Sequence, residues 1–309
     1  MQNHASTLAA EFKLDAARVA ATVALIDEGN TIPFIARYRK EATGSMDDQT
    51  LRALDERLSY LRKLDDQKET VHNSITEQGA MTPEIAAALE KAKTLAEVED
   101  IYRPYKPKRK TRASIARARG LEPLAARLLE QRPEDEPALL ARQYITEEVP
   151  DTEAALAGAR DILAEGFSDS ANLRATLRSL YNATALVESK AAKKDTDSVY
   201  SGYYDYSEPA AKMAGHRILA VDRGEREGFL KVSVTVDAAR AVRLLTERTV
   251  KNDSPSAEQV RAAAEDAYVR LIHPSLEREV RAGLTERACE GAISVFSKNL
   301  RQLLLQPPI

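Results

Sequence analysis

Apolar residues recur at three- and four-residue intervals along most of the chain, which is the pattern of helices that bury one face. The longest stripe predicts a single helix over 47–78 that ends at Gly79. Its members are Leu51, Leu54, Leu58, Leu61, Leu64, Val71 and Ile75. Shorter stripes predict further helices at 95–102, 111–120, 121–131, 137–145, 152–166, 169–193, 238–248, 256–272 and 274–305.

Two short helical stretches near the N-terminus predict a hairpin over 14–43. The first covers Leu14–Glu28 and stops at a glycine. The second covers Phe34–Ala42 and follows Thr31, a hydroxyl N-cap, and Pro33, which suits a first helical turn. Such a pair is typical of a helix-turn-helix and equally of any helical hairpin, so both interpretations stay open.

One small β element interrupts the helices. Leu230–Val236 alternates apolar and polar residues, which predicts a strand, and His216–Asp222 is either its partner strand or a helix. The segment 194–208 is polar and predicts a loop or linker. Its tyrosines could form a stacking platform, but we favour rings folded down onto a domain surface. They are Tyr200, Tyr203, Tyr204 and Tyr206.

The fold class that follows is mainly α: a multi-helix assembly with a helix-turn-helix-like part and one small β element near 217–236. We expect a helical region over 1–194, a Tyr-rich linker with a small α/β element over 195–248, and a helical segment over 249–309. The last of these ends in an apolar tail, which suggests a chain cut before a further domain.

Composition excludes several classes of protein. No apolar run approaches the roughly 20 residues of a membrane-spanning helix, so no membrane contact is expected. The N-terminus has no secretory signal. Cys289 is the only cysteine, which excludes a disulfide framework and fits a reducing cytoplasm. The net charge of −3 means that any nucleic-acid surface must come from local segregation of charge.

Motifs for enzymatic chemistry are missing. The four histidines are scattered, without the i, i+4 pair that a metal site on a helix would use. The sequence has no Gly-x-Ser-x-Gly motif, no phosphate-binding P-loop and no Gly-x-Gly-x-x-Gly fingerprint. We therefore expect a protein that is not an enzyme, with no metal and no cofactor.

A basic segment, 103–119, stands out from this background. It holds eight basic residues and no acidic one, whereas 47–100 holds 13 acidic and 7 basic residues. Its cations are Arg103, Lys106, Lys108, Arg109, Lys110, Arg112, Arg117 and Arg119, with Tyr105 between them. Pro104 and Pro107 predict an extended first part. Cations of this kind neutralise phosphates and a ring stacks on a base, which predicts sequence-independent nucleic-acid binding.

Two other interpretations of the basic segment stay open. It is a solvated loop, or its cations pair with acidic helices of this protein or of a neighbouring domain. A second candidate cluster is Arg37, Arg39 and Lys40, near the end of the helix 34–42. Three cations at that position equally complement the helix dipole.

Long stretches of the chain resemble the Tex family of transcription accessory proteins. They are TIPFIARYRKEATG (31–44), EDIYRPYKPKRKT (99–111), GLEPLA (120–125), HRILAVDRGE (216–225) and NLRQLLL (299–305). The resemblance runs from about residue 8 to the end of the chain. It implies the N-terminal portion of such a protein, without the ribonuclease-H-like (YqgF-type), helix-hairpin-helix and S1 domains of the family. No catalytic residue of the family maps onto this chain.

The resemblance implies a helical platform with helix-turn-helix character in a cytoplasmic protein linked to transcription. Two functions remain. The first is binding of RNA or DNA through the basic segment, with the transcription or translation machinery as further partners. The second is a structural and protein-interaction scaffold with no nucleic-acid contact of its own. Salt dependence separates them, because phosphate binding weakens steeply with salt. The sequence leaves the oligomeric state open.

Overall fold

The computed structural model describes residues 4–107, 110–192 and 198–306, and confirms a mainly α-helical protein with one small sheet. The chain divides into two compact units between Tyr105 and Lys106. The predicted divisions followed residues 194 and 248 instead. A single hydrophobic core runs from Ala113 to Ala288, so the sheet and the last helix belong to the same unit as the helices before them.

The first unit is built from seven helices among its described residues. They are α1 (His4–Phe12), α2 (Ala16–Asp27), α3 (Ile32–Tyr38), α4 (Lys40–Thr43), α5 (Asp48–Glu77), α6 (Pro83–Lys91) and α7 (Leu95–Tyr102). The prediction of one long helix over 47–78 is confirmed by α5. Its N-terminus is capped by the carboxylate of Asp47, which accepts the N–H of Thr50 at 2.7 Å, and Gly79 follows its end in the left-handed region at φ +68°.

The leucine stripe of α5 serves two separate hydrophobic clusters. Leu54 and Leu58 pack with α1 and α2, while Leu64, Val71 and Ile75 pack with α6 and α7. One apolar face of this 30-residue helix therefore contributes to both clusters of the first unit.

The N-terminal hairpin differs from its prediction in one respect. The expected helix over 34–42 is two helices, α3 and α4, because the backbone of Arg39 leaves the helical region at φ −124° and ψ 28°. The break lets α3 pack on α5 while α4 packs on α2. Its helix-turn-helix character stays a prediction.

The second unit contains nine α-helices and three strands among its described residues. The helices are α8 (Arg112–Ala118), α9 (Glu122–Glu130), α10 (Pro137–Ala141), α11 (Thr152–Asp169), α12 (Ala171–Thr184), α13 (Gly215–Arg226), α14 (Ala238–Thr249), α15 (Ala257–Asp266) and α16 (His273–Leu304). The strands are β1 (Leu186–Ala191), β2 (Asp205–Pro209) and β3 (Leu230–Thr235). A π-helical segment, Ala267–Ile272, joins α15 to α16.

Helix α11 lies at the centre of the second unit and packs against α8, α9, α10, α12 and α15. Gly158 allows this close approach, because a Cβ there would lie 2.3 Å from Leu121 Cδ1. Ala155, Ala159 and Ala164 are also fully buried on α11. Small side chains on α11 thus bring α8, and the basic residues it carries, close to the core.

The sheet is antiparallel, in the order β2-β1-β3. The predicted strand over 230–236 is confirmed by β3, and 216–222 is helical, within α13. Two predictions were wrong. The helix expected over 169–193 ends at Thr184 and is followed by β1, and the loop expected over 194–208 contributes β2. Both strands depend on partners distant in sequence, which a local pattern does not reveal.

The tyrosines of the predicted linker fold onto the second unit, as the favoured interpretation expected. Tyr200 is buried, and its hydroxyl donates to Glu227 at 2.8 Å. The rings of Tyr203 and Tyr206 meet edge to face at 5.1 Å between centroids. Burial, followed by the hydrogen bond to Glu208, raises the pKa of Tyr206 to about 12. These rings serve packing in the described structure.

Candidate nucleic-acid interface

The predicted binding residues fall in both units. Those in the first unit are Arg37, Arg39, Lys40, Arg103 and Tyr105. Those in the described part of the second unit are Lys106, Lys110, Arg112, Arg117 and Arg119. Lys108 and Arg109 lie outside the described residues.

The start of the basic segment is not extended, contrary to the prediction from its prolines. Arg103–Tyr105 form a 3₁₀ turn that continues α7, since Pro104 fits the first turn of a helix. Arg103 and Tyr105 are half-buried, and Tyr105 packs against the cluster around Leu64 and Val71. Tyr105 therefore contributes to the core of the first unit, and little of its ring is left for stacking on a base.

Helix α8 carries the end of the basic segment and begins with a capping box. The hydroxyl of Thr111 accepts the N–H of Ser114 at 3.0 Å, and the hydroxyl of Ser114 accepts the N–H of Thr111 at 2.8 Å. Ala113 and Ala116 are buried, whereas Arg112 is exposed. The helix thus turns an alanine face to the core and a basic face to solvent.

A carboxylate on α11 neutralises one of the predicted cations. Glu165, which is 8% exposed, accepts from the Arg117 guanidinium at 2.6 Å and from the Thr111 hydroxyl at 3.0 Å. Burial lowers the pKa of Arg117, but the hydrogen bond and charge of Glu165 outweigh it and the pKa is raised. Glu122 adds a surface contact with Arg117 at 3.4 Å. Arg117 is therefore paired with an acidic residue on a helix of the same protein, which is one of the interpretations left open above.

The other cations of the second unit remain at the surface. Arg119 is paired only loosely with the exposed Glu148, at 3.7 Å. Burial raises the pKa of the Asp161 carboxyl, and the positive charges of Arg270 and Arg112 reduce this rise. Lys106 and Lys110 are both exposed. Among the described cations of the segment, those exposed at the surface are therefore Lys106, Lys110, Arg112 and Arg119.

The double contact of Glu165 leads to a stability prediction. Replacing Glu165 with Ala should lower the free energy of unfolding by about 2 kcal/mol, because it leaves the Thr111 hydroxyl and the half-buried Arg117 without their acceptor. The matched control is Glu122→Ala, which removes the surface partner of the same arginine and should cost at most about 0.5 kcal/mol. Denaturant unfolding measures both, and equal losses would contradict the assignment.

The second predicted cluster lies on α3 and α4. Arg37, Arg39 and Lys40 are all exposed, and the guanidinium of Arg39 lies 5.7 Å from the centroid of the Phe34 ring. Phe34 also contacts Tyr38, with ring centroids 5.2 Å apart. Sequence reasoning missed both rings. The sequence shows their i, i+4 spacing, but only the structure shows that Ile35 rather than these rings is the buried residue of α3.

Metal-binding clusters and membrane-spanning helices are two further kinds of feature that the described residues could form. Within 4–107, 110–192 and 198–306, no group of three His, Cys, Asp or Glu side chains comes together as metal ligands would. Among the same residues, no helix has both the length and the apolarity needed to cross a bilayer.

Comparison with known proteins identifies two matching family models. Residues 2–76 match the Tex-like protein N-terminal domain, and residues 132–296 match the Tex central region-like family. The chain is 44% identical over 308 residues to the protein YdcI of Bacillus subtilis, covering 98% of this chain and 43% of that protein. It is 41% identical over 317 residues to the transcriptional accessory protein Tex of Neisseria gonorrhoeae, covering 97% of this chain and 41% of that protein.

A human relative is more distant. The S1 RNA-binding domain-containing protein 1 of Homo sapiens is 31% identical over 310 residues, covering 93% of this chain and 30% of that protein. The chain spans about two-fifths of the length of its bacterial relatives and less than a third of the human one.

Proposed function

The chain belongs to the Tex family of transcription accessory proteins, and on that basis we propose that it contributes sequence-independent binding of RNA or DNA to a protein engaged in transcription. The observation that carries this proposal is the exposure of Lys106, Lys110 and Arg112. The names of the relatives agree with it, since one is a transcriptional accessory protein and another contains an S1 RNA-binding domain. We propose that the protein acts in the cytoplasm.

Charge supports binding to phosphates. No acidic residue occurs between Asp100 and Glu122, so the charged residues along this stretch of chain are all basic. Lysine and arginine that neutralise phosphates release the counterions condensed on the nucleic acid, and this release drives binding without any base contact.

The surface is suited to positioning rather than to base recognition. Helix α8 is seven residues long, and Arg117 near its end is held by Glu165. A base-reading helix presents several free side chains to a groove. We therefore propose contacts with the sugar–phosphate backbone and no sequence preference. In this proposal the chain binds and has no catalytic role.

Titration with single- and double-stranded RNA and DNA at two salt concentrations tests the proposal. If about four phosphates are contacted, the logarithm of the affinity should fall with the logarithm of the salt concentration with a slope of roughly −3 to −4. Different sequences of the same length and strandedness should bind equally. Binding that ignores salt, or no binding at low salt, would contradict the proposal.

A second candidate function is a protein-interaction scaffold, and the C-terminal part of α16 favours it. That part exposes large apolar side chains: Ile293, Phe296, Leu300, Leu303 and Leu304 are 43–77% exposed. An apolar surface of this kind is typical of a protein–protein contact. Binding of the transcription or translation machinery there would be little affected by salt, which separates it from phosphate binding.

A further inference from the structure

Helix α3 has apolar residues on a buried side and on an adjoining exposed side. Ile35 is fully buried, and Ile32 and Ala36 beside it are half-buried, so this side holds the helix in the first unit. Phe34 and Tyr38 lie on the adjoining side and are 37% and 68% exposed. Neither ring is among the residues of the two hydrophobic clusters of the first unit, and neighbouring exposed rings offer faces on which a planar ligand can stack.

The two rings are arranged as a small platform. They are one helical turn apart, with centroids 5.2 Å apart and ring planes inclined at 46°. The Arg39 guanidinium lies 5.7 Å from the Phe34 centroid, which extends the platform with a planar cation. Tyr38 is the more exposed of the two residues, with most of its surface in solvent.

The surroundings of the platform are cationic. Between Gly29 and Met46 the only acidic residue is Glu41, against Arg37, Arg39 and Lys40. Arg37 follows Phe34 by three positions, so it lies on the outward side of α3 together with the rings. In the described part of the chain, none of these three cations has a carboxylate within ion-pair distance.

We propose that Phe34 and Tyr38 form a stacking site for single-stranded nucleic acid, with Arg37, Arg39 and Lys40 on the adjoining phosphates. Unpaired bases stack on exposed aromatic rings, and the cations that flank the rings track the backbone. In a duplex the base faces are covered by neighbouring base pairs, so the site selects single strands. The inference takes its ligand class from the proposed function and adds a separate site, in the first unit.

The test compares a single-stranded oligothymidylate with an abasic oligonucleotide of the same length. Tyr38→Ala should weaken binding of the oligothymidylate about tenfold and leave binding of the abasic strand unchanged, because only the bases stack. Tyr38→Phe should bind as the unchanged protein does. Equal weakening for both strands, or no weakening for either, would overturn the inference.

A fluorescent variant gives a second readout that does not depend on the loss of a side chain. The sequence has no tryptophan, so Tyr38→Trp places a single one in the site. Its fluorescence should be quenched by the oligothymidylate, and not by polyglutamate, an anionic polymer without bases. Quenching by polyglutamate would indicate an acidic protein partner instead, and no quenching by the oligothymidylate would exclude stacking.

The outcomes separate this site from the basic segment. The comparison variant replaces Lys106, Lys108, Arg109 and Lys110 with Ala. If it loses binding while Tyr38→Ala keeps full affinity for the oligothymidylate, the stacking site is wrong and the proposed function stands. If Tyr38→Ala loses affinity for that strand alone and the comparison variant binds normally, the stacking site stands and the basic segment is wrong.

Discussion

Replacing Lys106, Lys108, Arg109 and Lys110 together with Ala is expected to lower the affinity for nucleic acid by about three orders of magnitude near 0.1 M salt. The reason is counterion release: each phosphate contact adds about 0.7 to 0.9 to the salt slope, which is close to one order of magnitude in affinity at that concentration. The slope of the variant should be smaller by about 3. Filter binding or fluorescence anisotropy at several salt concentrations measures both quantities.

The control for this variant removes the same charge elsewhere. Lys212, Lys231, Arg240 and Arg248 are exposed residues of the second unit, and replacing them with Ala changes the net charge equally. This control should bind within about twofold of the unchanged protein. The melting temperature of both variants should change little, since the described residues among those replaced are exposed and exposed cations contribute little to stability. Equal losses of affinity would mean that total charge acts, rather than the basic segment.

A second large effect is expected at Gln131, which joins α9 to the end of α14. Its side chain is 1% exposed; its amide donates to the carbonyl of Thr249 at 2.8 Å and accepts the N–H of Lys251 at 2.9 Å. Its own carbonyl accepts from the side chain of Asn252 at 3.0 Å. These bonds supply partners for backbone groups at the end of α14 that the helix itself cannot satisfy.

Gln131→Ala should lower the free energy of unfolding by about 3 kcal/mol, because the buried carbonyl of Thr249 and the partly buried N–H of Lys251 lose their partners. The corresponding fall in melting temperature is about 6–12 °C. Gln131 has a left-handed backbone with φ +56°. Alanine has the same energetic penalty in that conformation, so the change in unfolding free energy measures the loss of the hydrogen bonds. The exposed Gln143→Ala is the matched control and should cost at most about 0.5 kcal/mol. A loss at Gln131 as small as at Gln143 would contradict this assignment.

Helices were predictable where burial follows one helical face over many turns. The leucine stripe of α5 is such a case, because its side chains are buried along the predicted face from Leu51 to Ile75. Strand β1 was not predictable in the same way. Only Val187 among its six residues is β-branched, and it is a strand because β2 and β3 pair with it on either side.

The sequence predicts the basic residues of the candidate site, but it does not predict which of them form ion pairs. The basic composition of 103–119 is visible in the sequence, whereas the contact of Arg117 with Glu165 joins residues 48 positions apart. The exposure of Phe34 and Tyr38 was equally hidden, because an aromatic residue in a helix normally indicates the buried face. Only the packing of Ile35 identifies which side of α3 faces the core.

The most direct test of nucleic-acid binding by the basic segment is a footprint of lysine acetylation, read by mass spectrometry with and without a single-stranded oligonucleotide. Lys106, Lys108 and Lys110 should be acetylated several-fold more slowly in the complex, because each would lie against a phosphate. Lys212 and Lys231, exposed elsewhere in the second unit, should react at unchanged rates. Equal reactivity of all five lysines at saturating oligonucleotide would contradict the account.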